Sequence, residues 1–242
     1  MKVLKSPVQS GVKITIVCSL HGEEEFSARV FEYFNERLSE FSGLKLILAN
    51  EPALAKQERF LEQDLNRSFP GKESGNAEEK LAHAILQKIG EEDYLLDIHT
   101  SISDLEMTPI LTSYNEKTKT IVNALDSDKV VFVKSPLADK SLIGQLDNGV
   151  SLEINKDLAK QTETMRKVVE LVKKLQTGEG TPKREREIYT VTGTIPKTVI
   201  MPDYAANFVY VKELDLYPFL YAKDSYPDIH ALKATEMKRE IL

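Results

Sequence analysis

The stretch VKITIVCSLHGEEEFSARVFEYFNERL, residues 12–38, decides the fold class. Val12 to Val17 is short and β-branched, as expected of a buried strand. From Glu24 onward Phe26, Val30, Phe34 and Leu38 recur every fourth residue, which marks one face of a helix. Between them the strand runs into His21-Gly22-Glu23-Glu24, a polar turn. Strand, polar turn and amphipathic helix form the repeating unit of an α/β sheet.

The same alternation continues outward. Leu44 to Leu48, Tyr94 to Ile98, Thr108 to Leu111, Val130 to Val133 and Val150 to Ile154 read as strands. Ala77 to Ile89, closed by Gly90, and Thr118 to Leu125 read as helices. Met165, Val168, Val169, Val172 and Leu175 share one face of a further helix that stops at Gly178. The polar segment TGEGTPKRERE, Thr177 to Glu187, reads as a linker or exposed loop. Beyond it come short β-rich pieces, Ile188 to Val191 and Phe208 to Val211, among Pro196, Pro202 and Pro218. The expectation is an α/β domain over 1–178 and a small β-rich C-terminal domain over 184–242.

Composition excludes several classes. The 242 residues are 41% hydrophobic and 29% charged, which argues against disorder. The net charge of −6 gives no basic excess for neutralising phosphates, so nucleic acid is not an expected partner. The most apolar stretch, Val12 to Leu20, is interrupted by Lys13 and is too short to span a membrane. The N-terminal MKVLKSPVQSG lacks the apolar segment of a signal peptide. A single cysteine, Cys18, cannot form an internal disulfide. Together these features point to a soluble, cytoplasmic protein.

Three strands end in or contain reactive polar residues: His21 and Glu24 after the first, His99 at the end of Tyr94–Ile98, and Glu153 within Val150–Ile154. In open α/β sheets the carboxyl ends of the strands line the ligand crevice. Two histidines and a carboxylate arriving there supply the donor set of a catalytic zinc site. Each feature alone has a plainer reading. His-x-x-Glu can be a capping loop whose acids favour a helix N-terminus, and His99 can be a hydrogen-bonded strand-end histidine. Asp97, two residues before His99, shares its strand face and can either orient that histidine or serve the core.

The segment RFLEQDLNRSFPG, residues 59–71, joins these features. HGEE at 21–24, DLNRSFPG at 64–71, DIHT at 97–100 and GVSLEI at 149–154 fall in the order and spacing of the succinylglutamate desuccinylase/aspartoacylase family, within the zinc carboxypeptidase clan. The chain resembles that family over most of its length, including YPFLYAKDSYPDIHALKA at 217–234. The resemblance implies a mixed α/β sheet covered by helices, with a small β-rich C-terminal domain. It also implies one Zn2+ per chain held by His21, Glu24 and His99, with Glu153 as general base and Arg59 polarising the scissile carbonyl. Asn66 and Arg67 resemble the pair that holds a substrate carboxylate, and Tyr226 aligns with a substrate-contacting tyrosine, although in Ser-Tyr-Pro it also reads as a turn aromatic. The implied activity is hydrolysis of a small N-acyl amino acid, with a homodimer plausible. A carboxypeptidase or an inactive binding relative are the competing readings.

The chain departs from aspartoacylases proper at one place. They carry a further arginine about ten residues before the catalytic glutamate, whereas SLIGQLDNG at 141–149 contains none and only Lys140 is near. A substrate with one free carboxylate therefore fits better than N-acetylaspartate. The C-terminal region is also short for the family.

Overall fold

The computed structural model describes residues 1–7, 11–91, 93–179, 183–222 and 227–242. Among them ten strands form a single mixed sheet. They are β1 (Lys2–Lys5), β2 (Ile14–Cys18), β3 (Leu44–Leu48), β4 (Tyr94–Ser101), β5 (Thr108–Leu111), β6 (Lys129–Val133), β7 (Gly149–Asn155), β8 (Glu185–Pro196), β9 (Tyr217–Phe219) and β10 (Ile229–Ile241). Their order across the sheet is β1-β3-β2-β4-β7-β5-β6-β8-β10-β9.

The centre, β3-β2-β4-β7, is parallel. Parallel strands need helical crossovers that cover both faces, so their residues are apolar in continuous runs. Every residue of β2 is buried accordingly. On one face α1 (Glu25–Glu36), α4 (Glu116–Ala124), α5 (Lys156–Ala159) and α6 (Thr162–Thr177) pack on Ile14, Ile16, Leu96 and Leu152. On the other, α3 (Ala77–Leu86) with Leu65, Phe69 and Leu142 covers Val17, Ile47 and Leu95. Because the central strands run the same way, β2, β4 and β7 deliver their carboxyl ends to one edge of the molecule.

The predicted elements are observed with one exception, and the structure adds the short helices Glu51–Lys56 and α5 and three strands. The run Phe208 to Val211, read as a strand, makes only an isolated bridge from Val211 to Leu216. Phe208 lies at a φ of 65°, a left-handed conformation incompatible with extended pairing. Three strands carry no strand signal in the sequence: β1, antiparallel on the edge of β3, the three-residue β9 and the thirteen-residue β10. β10 pairs along β8, with register shifts that break the alternation of apolar and polar residues. The C-terminal strands extend the main sheet, since β8 lies parallel to β6 from Lys129–Glu187 to Val133–Val191. Tyr189, Val191, Phe219 and Ala234 bury an apolar cluster with Val131 and Val133 there.

Candidate metal centre at the strand ends

The turn after β2 is built by local geometry. Ser19 adopts a φ of 54°, bending the chain sharply out of the sheet, and Ser27 Oγ accepts its N–H at 2.8 Å. Gly22 follows, and a Cβ there would lie 2.2 Å from the carbonyl carbon of Ala53 on α2 (Glu51–Lys56). The loop can approach α2 this closely only with glycine. Gly22 N–H donates to Arg59 O at 3.2 Å, which fastens the loop to the segment carrying Arg59. Glu24 stands at the N-cap of α1 without capping it. Its side chain turns instead toward the histidines.

His21 Nδ1 lies 2.9 Å and His99 Nδ1 3.2 Å from the same oxygen, Glu24 Oε1. One ligand atom from each of these three buried residues lies within 4.8 Å of the others. The outer nitrogen of each ring is held by a carboxylate: His21 Nε2 donates to Asp64 Oδ1 at 2.9 Å, and His99 Nε2 to Asp97 Oδ2 at 2.8 Å. Ser151 Oγ donates to the same Asp97 oxygen at 2.9 Å. Glu24 faces both Nδ1 atoms as Asp64 and Asp97 face the Nε2 atoms, and a carboxylate cannot donate, so only with a cation in place of the inner protons do the rings stay neutral with their protons on Nε2. Neutral rings then turn two Nδ1 lone pairs and a carboxylate oxygen onto one point. Three acceptors facing one another require a cation or extra protons.

Without a metal the protons are favoured. Burial lowers the proton affinity of His99, but Asp97 and Glu24 outweigh it and raise its pKa well above the ordinary histidine value. His21 is raised in the same way, with Glu24 and Asp64 overcoming burial. Burial pushes the Glu24 carboxyl up, yet His99 and His21 bring it down to about 2. Burial likewise opposes ionisation of Asp64, but His21, Arg59 and Arg67 hold it well below the usual carboxylate range. Glu24 Oε2 and Asp97 Oδ1 remain buried without hydrogen-bond partners. Orphan carboxylate oxygens beside two imidazoles locked by outer carboxylates match the donor chemistry of a zinc-type cation.

Glu153 lies on β7 beside His99, its register partner on β4. It is half-buried. Burial, reinforced by the Glu24 charge, pushes its carboxyl up to about 7 against the opposing histidines. A carboxyl poised there can exchange a proton near neutrality.

The arginines are more committed than the sequence suggests. Arg59 grips Asp64 Oδ2 through Nε at 3.2 Å and Nη2 at 2.9 Å, and Glu23 Oε1 through Nη1 at 3.2 Å. Asn66 divides its amide: Oδ1 accepts from Leu142 N–H at 2.9 Å, while Nδ2 lies 3.4 Å from His99 Nε2. Arg67 is exposed beside it and donates from Nη1 to Asn66 O. Lys140 is exposed. Tyr226 lies outside the described residues.

Two further residues shape the site without a distinct sequence signal. Asp64 opens the Asp-Leu-Asn-Arg motif, and its bond to His21 appears only in three dimensions. Glu78, 1% exposed at the start of α3, accepts from Leu61 and Glu62 N–H at 2.8 and 3.2 Å and so anchors the 59–63 loop. In the sequence it resembles any acidic residue of a first helical turn.

The fold and this cluster define a helix-covered mixed α/β sheet with a candidate metal centre at the strand ends. The profile of the succinylglutamate desuccinylase/aspartoacylase catalytic domain matches residues 10–177, and the chain belongs to that family. A probable aspartoacylase of Trichodesmium erythraeum (strain IMS101) is 28% identical over 161 residues, 59% of this chain and 55% of that protein. The succinylglutamate desuccinylase of Pseudomonas paraeruginosa is 31% identical over 107 residues, 38% of this chain and 32% of the relative. The chain thus spans about half or less of the length of these curated relatives. Among solved structures, a mutant of murine aminoacylase 3 superimposes with a TM-score of 0.75 at 16% identity, covering 98% of this chain and 97% of that one. That likeness establishes the shared fold.

Proposed function

We propose that this chain is a zinc-dependent deacylase that hydrolyses the amide of a small N-acyl amino acid. The observation that carries this reading is the convergence of His21 Nδ1 and His99 Nδ1 on Glu24 Oε1, with Glu153 beside His99 on the next strand. His21, Glu24 and His99 would hold the metal, which supplies a Lewis acid to activate water and polarise the scissile carbonyl.

Glu153 takes one proton from the attacking water as the new C–O bond forms. It then delivers that proton to the departing nitrogen as the amide C–N bond breaks, leaving a carboxylate and a free amine. Arg59 stabilises the negative oxygen that develops on the acyl group. To do so it turns part of its guanidinium away from Asp64 or Glu23. Arg67, exposed at the mouth, binds the carboxylate of the amino acid with the Asn66 amide, a match for the planar guanidinium fork. Tyr226 is proposed as a further substrate contact. Without an arginine in 141–149 and with only Lys140 near that stretch, a substrate bearing one free carboxylate is favoured.

The test offers N-acetyl and N-succinyl amino acids beside a blocked dipeptide to the zinc-loaded protein, with amine release as the readout. Chelator-sensitive turnover of one or two acylated amino acids, faster than the dipeptide, is expected. Faster dipeptide cleavage would replace the reading with a carboxypeptidase.

A further inference from the structure

Glu78, at the start of α3, is a buried acid that the chemistry proposed above does not use. Its three partners are all amide donors, two of them from the backbone. Oε1 accepts from Leu61 N–H at 2.8 Å and lies 3.4 Å from Asn50 Nδ2, while Oε2 accepts from Glu62 N–H at 3.2 Å. Burying a carboxyl group is costly unless such bonds compensate it. The side chain is also chemically specific. A carboxylate accepts on both oxygens, whereas a glutamine would turn its own amide protons toward one of the two backbone N–H groups.

What these bonds hold is the stretch 58–63, which carries Arg59 and contains no helix or strand. Its backbone groups must therefore find partners elsewhere in the molecule. On one side, Glu58 N–H donates to Ala53 O at 3.1 Å and Arg59 O accepts from Gly22 N–H at 3.2 Å. On the other side, Leu61 and Glu62 are held by Glu78. Arg59 thus hangs between the loop that carries the metal ligands and the side chain of Glu78. Asn50 ties the two supports together: its Oδ1 accepts from Ala53 N–H of α2 at 3.3 Å, and α2 is the helix that Gly22 abuts. The Arg59 side chain itself is 41% exposed, so surrounding walls do not confine it. Its aim is set by its backbone and by the two carboxylates it grips.

We propose that Glu78 is a positioning residue for the hydrolysis. By holding the amides of Leu61 and Glu62, it fixes where Arg59 delivers its guanidinium to the oxyanion that develops on the acyl group. The inference rests on the deacylase reading for the role of Arg59, but the hold of Glu78 on Arg59 is testable without turnover.

The test combines kinetics with a spectroscopic readout on the full-length, zinc-loaded protein. Glu78→Gln is expected to lower kcat for an N-acyl amino acid about 10- to 100-fold, as a small misplacement of a catalytic group does, with KM little changed and zinc retained. In an Arg59→Ala background the same substitution should lower kcat less than about twofold, because no guanidinium is left to misplace. In 15N-labelled protein the Arg59 Nε–H resonance, identified by its loss in Arg59→Ala, should move in Glu78→Gln. If Glu78→Gln does not fold, Glu78→Asp, which keeps both acceptor oxygens on a shorter stem, is measured under the same criteria. Equal losses in both backgrounds, or an unmoved Arg59 resonance, overturn the proposal. A wild type that turns over no acylated amino acid, with the resonance still moved in the variant, overturns the deacylase reading and leaves the hold of Glu78 on Arg59 supported.

Discussion

Two buried charge clusters occupy opposite ends of the central strands, and only one is balanced. At the amino ends, Asp93 Oδ2 accepts from Thr15 Oγ1 at 2.6 Å, Lys45 Nζ at 2.7 Å and Gly90 N–H at 3.2 Å. Lys45 also donates to Lys88 O at 2.6 Å. One negative and one positive charge meet there, and three donors converge on Asp93 Oδ2. At the carboxyl ends, Glu24, Asp64, Asp97 and Glu153 gather around two histidines, and buried oxygens of Glu24 and Asp97 stay unpartnered. A cluster that serves the fold satisfies itself, whereas one that serves chemistry leaves capacity for something that binds.

The largest effect that would sharpen this contrast comes from Glu153→Gln. The amide keeps the shape but cannot take a proton, so turnover is expected to fall about 100- to 10,000-fold while zinc content is unchanged. Wild-type turnover should rise with pH through about 7, as the Glu153 carboxyl loses its proton, and the variant should lose that limb. Steady-state kinetics across pH with metal analysis of both proteins reads this out. Wild-type-like turnover in the variant removes Glu153 from the mechanism.

A smaller effect is expected for Asp97→Asn, which leaves His99 Nε2 without its carboxylate. Outer partners of metal-binding histidines typically contribute 10- to 100-fold in affinity. Competition with a chromogenic chelator measures it, and unchanged affinity would assign Asp97 to the core instead.

At the opposite end Asp93→Asn should cost about 1–3 kcal/mol of stability and leave metal affinity untouched. Burial opposes ionisation of Asp93, but Lys45, Thr15 and Gly90 outweigh it and lower its pKa below the ordinary 3.8. Its contribution is therefore present in full above that value and is lost as pH falls through the lowered one. Denaturant unfolding at pH 7 and at progressively lower pH shows the wild-type advantage shrinking. Loss of metal binding in Asp93→Asn would erase the distinction between the clusters.

The carboxyl-end cluster was legible to different depths. His21, Glu24, His99 and Glu153 could be placed together because each follows or ends a strand of the parallel core, where hydrophobic patterning is strong. The bond from Asp64 to His21 was not legible, since it links loops 43 residues apart and nothing in Asp-Leu-Asn-Arg says which way the aspartate turns. The structural half of Asn66 was hidden for the same reason, because its partner Leu142 N–H lies 76 residues away. In the fold, β10 escaped because its Lys- and Glu-rich sequence is stabilised by pairing along β8, and its bulges break the alternation that marks a strand. The apolar run 208–211 misled in the opposite sense: it buries Val211 but turns at Phe208 instead of extending.

The most direct test of the central claim is a calorimetric zinc titration of chelator-treated protein, run in parallel on His99→Ala. One zinc per wild-type chain is predicted, with proton release as the raised histidines give way to the metal and loss of binding in the variant. No uptake by wild type, or equal uptake by His99→Ala, would contradict a metal centre built from His21, Glu24 and His99.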